Sequence, residues 1–218
     1  MKDYNEFTFQ TPRTLPIVML LDTSGSMMED CKIDELTNSV NEMVNKMKEL
    51  DDPKASVSLA IFTFGGNPKE FLKLTPIQNV PCLSFEAAGN TPLGGCLKLA
   101  KEMIENKDII TSRTYRPVVL LVSDGMPNDD WAPAFIDFKT NGRSSKCYCL
   151  SMGIGKDLPQ ASLDILQKFS SANEPVFVAK EAKDIHKFFS LVSISVTNRT
   201  TSQNPNSFST VIKTNEQN

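Results

Sequence analysis

The chain has 218 residues, with 23 lysines and arginines against 26 aspartates and glutamates, a net charge of -3 at pH 7 and a pI near 5.3. That length fits one domain with loose ends, because domains run to about 100 to 200 residues, and the scattered basic residues give no electrostatic footprint for nucleic acid or an anionic membrane. The longest apolar runs, "IVMLL" and "VVLLV", fall far short of the roughly 20 residues of a spanning helix, and "MKDYNEFTFQTPRT" lacks the apolar core of a signal peptide, so a soluble cytoplasmic protein is expected.

Residues 1–14 read as an N-terminal arm and residues 15–197 as the domain. "PIVMLLD" is continuously apolar, the mark of a strand buried on both faces. In "KIDELTNSVNEMVNKMKEL", Ile33, Leu36, Val40, Met43, Met47 and Leu50 recur at steps of three or four, which predicts a helix with one core face. "ASVSLAIFTFGG" is the second strand, and "PKEFLKLTPI" a shorter third one after a Gly-Gly-Asn-Pro turn. "TPLGGCLKLAKEMIEN" predicts a helix entered through Thr91 and Pro92. "PVVLLVSDG" repeats the first strand's pattern, an apolar run ending abruptly in a polar turn. A helix at "APAFIDFKTNG", a strand at "CYCLSMGIG", a helix at "LPQASLDILQKFS", a strand at "PVFVAK" and a last helix at "AKDIHKFFSLVSISV" follow. Residues 198–218 are rich in Asn, Ser and Thr and cannot bury enough to offset their ordering entropy, so a disordered tail is expected. Alternating strands and helices predict an α/β fold, doubly wound around a mostly parallel sheet with helices on both faces.

Of the five cysteines, Cys147 and Cys149 are the only close pair, and their spacing is not that of a redox or zinc motif, so reduced, mostly buried thiols are expected. His186, the only histidine, falls at the edge of an amphipathic helix whose core face is Ile185, Phe188, Phe189 and Val192.

The two fully apolar strands both end in an aspartate beside a small-residue turn: "LLDTSGSMM" and "LVSDGMP". In doubly wound sheets ligands sit outside the carboxyl ends of the strands where the strand order reverses. If these strands are neighbours there, Asp22, Ser24, Ser26 and Asp124 converge, and Thr91 can complete the set. Five oxygen-bearing side chains without sulfur or imidazole describe a hard-cation site, which fits Mg²⁺, with Mn²⁺ as its substitute, better than zinc or copper. Helix capping uses the same residue types and stays open as the other reading of Asp22 and Thr91.

These residues resemble the metal-ion-dependent adhesion site of von Willebrand factor A (vWA) domains: D-x-S-x-S at "DTSGS", a threonine at "GNTPLGG" and an aspartate at "SDGMPNDDW". Within that family the sequence is most similar to the TerY-like group associated with bacterial tellurium resistance and stress response. The resemblance implies a six-stranded sheet in the order 3-2-1-4-5-6 with a short antiparallel edge strand. It also implies metal ligation by Ser24 and Ser26, direct or water-mediated contact from Thr91, and water-mediated contacts from Asp22 and Asp124. The implied function is a Mg²⁺-dependent protein-binding module that captures an Asp or Glu of its partner, in a signalling complex with kinase-like or phosphatase-like proteins.

An enzyme is the rival class. A phosphatase of the haloacid dehalogenase type needs a second aspartate where Ser24 stands. "SMGIGKD" lacks the first glycine and the closing Ser/Thr of a phosphate loop. A serine hydrolase needs a base beside its nucleophile. Pro127, Asn128 and Trp131 are expected at the rim of the site, where Trp131 is either an exposed contact or a lid on its own loop.

Overall fold

The computed structural model describes residues 13–49 and 55–201; the expected arm up to residue 12 and tail from residue 202 lie outside the described residues. The described residues form six strands and five α-helices, alternating except where β3 follows β2: β1 (Arg13–Asp22), α1 (Lys32–Lys48), β2 (Ala55–Phe64), β3 (Lys69–Pro76), α2 (Leu93–Glu105), β4 (Val118–Ser123), α3 (Trp131–Thr140), β5 (Tyr148–Ile154), α4 (Gln160–Phe169), β6 (Phe177–Ala179) and α5 (Ala182–Thr201). The sheet order is β3-β2-β1-β4-β5-β6. Only β3 runs antiparallel to its neighbour. This is the doubly wound α/β architecture that the alternating pattern predicts.

β1 is buried on both faces because alternate residues feed two cores. Leu15, Ile17, Met19 and Leu21 pack with the apolar stripes of α1 and α5. Val18 and Leu20 pack with those of α2, α3 and α4. β4 divides in the same way, Val118, Leu120 and Val122 to one core and Val119 and Leu121 to the other. The chain passes to one side of β1 for β2 and β3 and to the other side for β4, so the order reverses between β1 and β4. Leu21 stands opposite Val122, which brings Asp22 and Ser123 to the same edge.

Two boundaries differ from the sequence reading. β1 begins at Arg13, inside the expected arm, and α5 continues to Thr201, past the expected start of the tail. Arg199 explains the second extension. It is buried, and its guanidinium donates to the Arg116 carbonyl at 2.7 Å, a tie that a composition count does not register.

Candidate metal centre

The carboxyl ends of β1 and β4 supply the foundation. Asp22, the last residue of β1, is fully buried. Its Oδ1 accepts the Ser24 amide at 2.9 Å and its Oδ2 accepts the Ser123 hydroxyl at 2.6 Å. Burial pushes its pKa from 3.8 up to about 6. The hydrogen bonds from Ser123 and Ser24 oppose that rise, and the charge of Asp124 adds a little to it.

Beyond Asp22 the chain enters a tight helical turn, Gly25–Cys31, with Ser24 just before it. The Ser24 and Ser26 hydroxyls lie 3.0 Å apart, and the Ser26 hydroxyl donates to Asp124 Oδ1 at 2.7 Å. Asp124 Oδ2 accepts the Lys32 ammonium at 2.9 Å, and that ammonium also reaches the Ser26 carbonyl at 3.4 Å. Asp30 and Cys31 both adopt left-handed backbone conformations (φ 52° and 56°) at the junction with α1, a conformation non-glycine residues rarely hold. That junction sets where Lys32 begins the helix.

Glycines bring two further loops against this turn. A Cβ on Gly65 would sit 2.0 Å from the Thr23 carbonyl oxygen, so only glycine lets the end of β2 approach so closely. Gly89 has φ +72° and packs on the Gly66 backbone. The Gly25 amide donates to the Gly89 carbonyl at 3.0 Å and the Ala88 amide to the Thr23 carbonyl at 2.8 Å, which ties the loop carrying Thr91 to the loop carrying Ser24 and Ser26. Asn128 fixes Thr91 from the other side. Its Oδ1 accepts the Thr91 amide at 3.0 Å, and its amide donates to the Thr91 carbonyl at 3.2 Å.

Asp22, Ser24, Ser26 and Asp124 are thus joined in one hydrogen-bonded network. Thr91 adjoins it through the backbone, and its hydroxyl bonds to none of the described residues. The capping alternative is not what the geometry holds. The turn after Ser24 and the helix after Pro92 have no side-chain cap from Asp22 or Thr91. α2 is capped instead by Asp129, whose carboxylate accepts the Gly94 and Gly95 amides at 3.2 and 3.0 Å. Sequence spacing missed the roles of Asp129, Ser123 and Lys32, and it placed Asn128 at the rim without its tie to Thr91. Ser123 and Asp129 lie within the quoted polar turns, but the partners that define their roles are 34 to 101 residues away. Trp131 is half-buried with its ring edge-on to Phe135, 5.5 Å between centroids, so it packs on its own helix. His186 pairs with Glu42 at 2.8 Å on the surface between α1 and α5, away from these serines.

The donor set fits a divalent cation. All of it is oxygen, as hard cations require. Adjacent ligands of an octahedral ion bound at 2.0 to 2.1 Å stand about 3 Å apart, and the Ser24 and Ser26 hydroxyls are 3.0 Å apart. Ser24, Ser26 and Thr91 are the hydroxyls that would hold the ion, with Asp22 and Asp124 orienting them and the bound water.

The sequence profile of the von Willebrand factor type A domain matches residues 17–191. No curated protein sequence matches the chain. Among solved structures, the chain is similar to proximal thread matrix protein 1 from the mussel byssus, with TM-score 0.62 and 17% identity over 85% of this chain and 46% of that one. A form of the same mussel protein with a zinc-occupied MIDAS motif gives TM-score 0.61 and 18% identity over 84% of this chain and 45% of that one. The pilus adhesin SpaC from Lactobacillus rhamnosus GG, in its open conformation, gives TM-score 0.71 and 14% identity over 87% of this chain and 30% of that one. The chain spans less than half the length of each of these proteins.

Proposed function

This chain belongs to the von Willebrand factor type A family, and on that premise we propose that it is a Mg²⁺-dependent protein-binding module that captures an acidic side chain of its partner. Domains of this family generally mediate protein interaction. The observation that carries the reading is the 3.0 Å hydroxyl pair of Ser24 and Ser26, braced by Asp124.

Ser24, Ser26 and Thr91 offer neutral oxygens, and Asp124 is already engaged by Ser26 and Lys32. With neither Asp22 nor Asp124 binding it directly, a bound cation would keep its Lewis acidity for an incoming Asp or Glu. Exposed Met28 and Met126 flank the site, at 64% and 41% exposure, and offer the adaptable apolar contacts common at binding surfaces. They extend the expected rim, from which Trp131 withdraws.

A binding role is favoured over catalysis because the site's serines bond to each other and to Asp124, and the chain's one histidine pairs with Glu42 instead. The resemblance of "LLDTSGSM", "GNTPLGGCL" and "LVSDGMPNDDW" to the TerY-like group supports a setting in tellurium resistance or stress signalling, alongside kinase-like or phosphatase-like partners. The test is capture of partners from cell extract in Mg²⁺ and in EDTA, followed by mutation of each exposed Asp and Glu in the captured partner. Binding that needs Mg²⁺ and a single partner carboxylate is expected. Undiminished binding by metal-stripped protein would overturn the proposal.

A further inference from the structure

At the end of the sheet opposite the metal centre, the segments leading into β4 and β5 open onto a cavity of about 820 Å³. Arg116, Arg143 and Lys146 line it together with hydroxyls such as Ser112, and Ile110 and Tyr115 form part of an apolar wall. No carboxylate among the described residues belongs to the lining. Glu105 stands just outside the lining, where its Oε1 accepts the Arg143 and Ser144 amides at 2.6 and 3.0 Å and its charge offsets part of the positive lining.

The guanidinium groups are held in place by backbone carbonyls. Arg143 donates to Ile104 and Thr111 at 3.0 and 3.4 Å, and Arg116 to Cys147 at 3.2 Å. A guanidinium fixed in this way loses little freedom when a ligand arrives. Arg13 adds a further positive charge beside the apolar wall, 4.5 Å from the centre of the Tyr115 ring. The Lys146 ammonium is exposed and makes no hydrogen bond or ion pair with the described residues. Among the described residues the lining itself holds no carboxylate, so the Arg143 guanidinium and the Lys146 ammonium raise the potential at its rim, and an anion relieves it.

We propose that this cavity binds a small phosphorylated organic molecule, with the phosphate on Arg143, Lys146 and the hydroxyls and the organic part against Ile110 and Tyr115. Its volume lies within the roughly 300 to 1,000 Å³ of small-molecule sites. The site is independent of the metal centre, which stands at the other ends of the same strands.

The test is calorimetric titration of the full chain with phenyl phosphate, inorganic phosphate and phenol, in EDTA so that no metal-bound phosphate contributes. Saturable binding of phenyl phosphate, tighter than either fragment and weakened by added salt, is expected. Lys146→Gln should weaken it roughly tenfold, the scale of one charge-assisted hydrogen bond. Ser112→Glu, which places a carboxylate in the lining, should abolish it, and Ser26→Ala should leave it unchanged. Absence of saturable binding, equal affinity for phenyl phosphate and inorganic phosphate, or full affinity in Lys146→Gln would each overturn the assignment.

Discussion

The two ends of the central strands are chemically opposite. At the carboxyl ends of β1 and β4, the cavity beside the metal centre is lined by three lysines and five carboxylates, among them Asp124 and Lys32. At the amino ends of β4 and β5, the larger cavity has three cations and, among the described residues, no carboxylate in its lining. The strands between them are almost wholly apolar, Ile17 to Leu21 and Val118 to Val122 each being 0% exposed. These apolar strand interiors therefore serve as a rigid spacer between the end where we propose a cation and the end where we propose an anion. The difference teaches that in this fold the strand interiors set position while the strand termini and their loops set chemistry.

The largest effect that would sharpen this contrast is expected at Asp22. A buried carboxyl whose pKa rises from 3.8 unfolded to about 6 folded stabilises the fold fully only below pH 4. That contribution is lost as pH rises through about 6, and it amounts to at most about 3 kcal/mol at 1.36 kcal/mol per pH unit. Asp22→Asn keeps an acceptor for the Ser24 amide and removes the ionisation. In EDTA, wild type should lose stability between pH 4 and 7 relative to Asp22→Asn, as read from thermal midpoints across that range. Parallel pH profiles would show that the carboxylate end of the sheet is not electrostatically strained.

Next in size is Asp124→Ala, which frees the Ser26 hydroxyl and Lys32 together. Loss of a group that orients ligands lowers metal affinity by about 10- to 100-fold. Circular dichroism should remain that of the folded protein, since the side chain ends in a loop network outside both apolar cores. An unfolded variant would mark Asp124 as a structural residue instead.

Lys32→Met tests the one cation that the network already holds. Its ammonium stands 2.9 Å from Asp124 and repels a divalent ion at the adjacent hydroxyls. Removing it should raise Mg²⁺ affinity about fivefold, consistent with roughly 1 kcal/mol for a partly screened charge. A fall in affinity would mean that Lys32 acts chiefly by aligning Asp124. The smallest effect belongs to a pair at neither end of the sheet. His186 and Glu42 are nearly half exposed, so His186→Ala should change stability by less than about 0.5 kcal/mol in denaturant titrations.

Much of this was legible in the sequence because it is local. The apolar runs of β1 and β4, the helical periodicity of α1 and the oxygen-rich turn at Asp22, Ser24 and Ser26 are each written within a few residues. The strand order and the pairing of the two turns needed the family resemblance, since nothing in "PIVMLLD" says which strand lies beside it. Lys32 left no signal, because its approach to Asp124 depends on two consecutive left-handed residues and a contact across 92 positions. Asp129 was visible in "PNDDW" but not its role, which is set by a helix start 34 and 35 positions earlier. The end of α5 was hidden because a polar sequence there is anchored by one buried arginine.

The central claim is that the Ser24 and Ser26 hydroxyls seat a divalent cation, and calorimetric titration of wild type and Ser26→Ala with Mg²⁺ and Mn²⁺ tests it most directly. Wild type should bind one ion, and Ser26→Ala, with its circular dichroism unchanged, should bind it at least about tenfold more weakly for want of one hydroxyl ligand. Equal affinity in the two proteins would contradict the account.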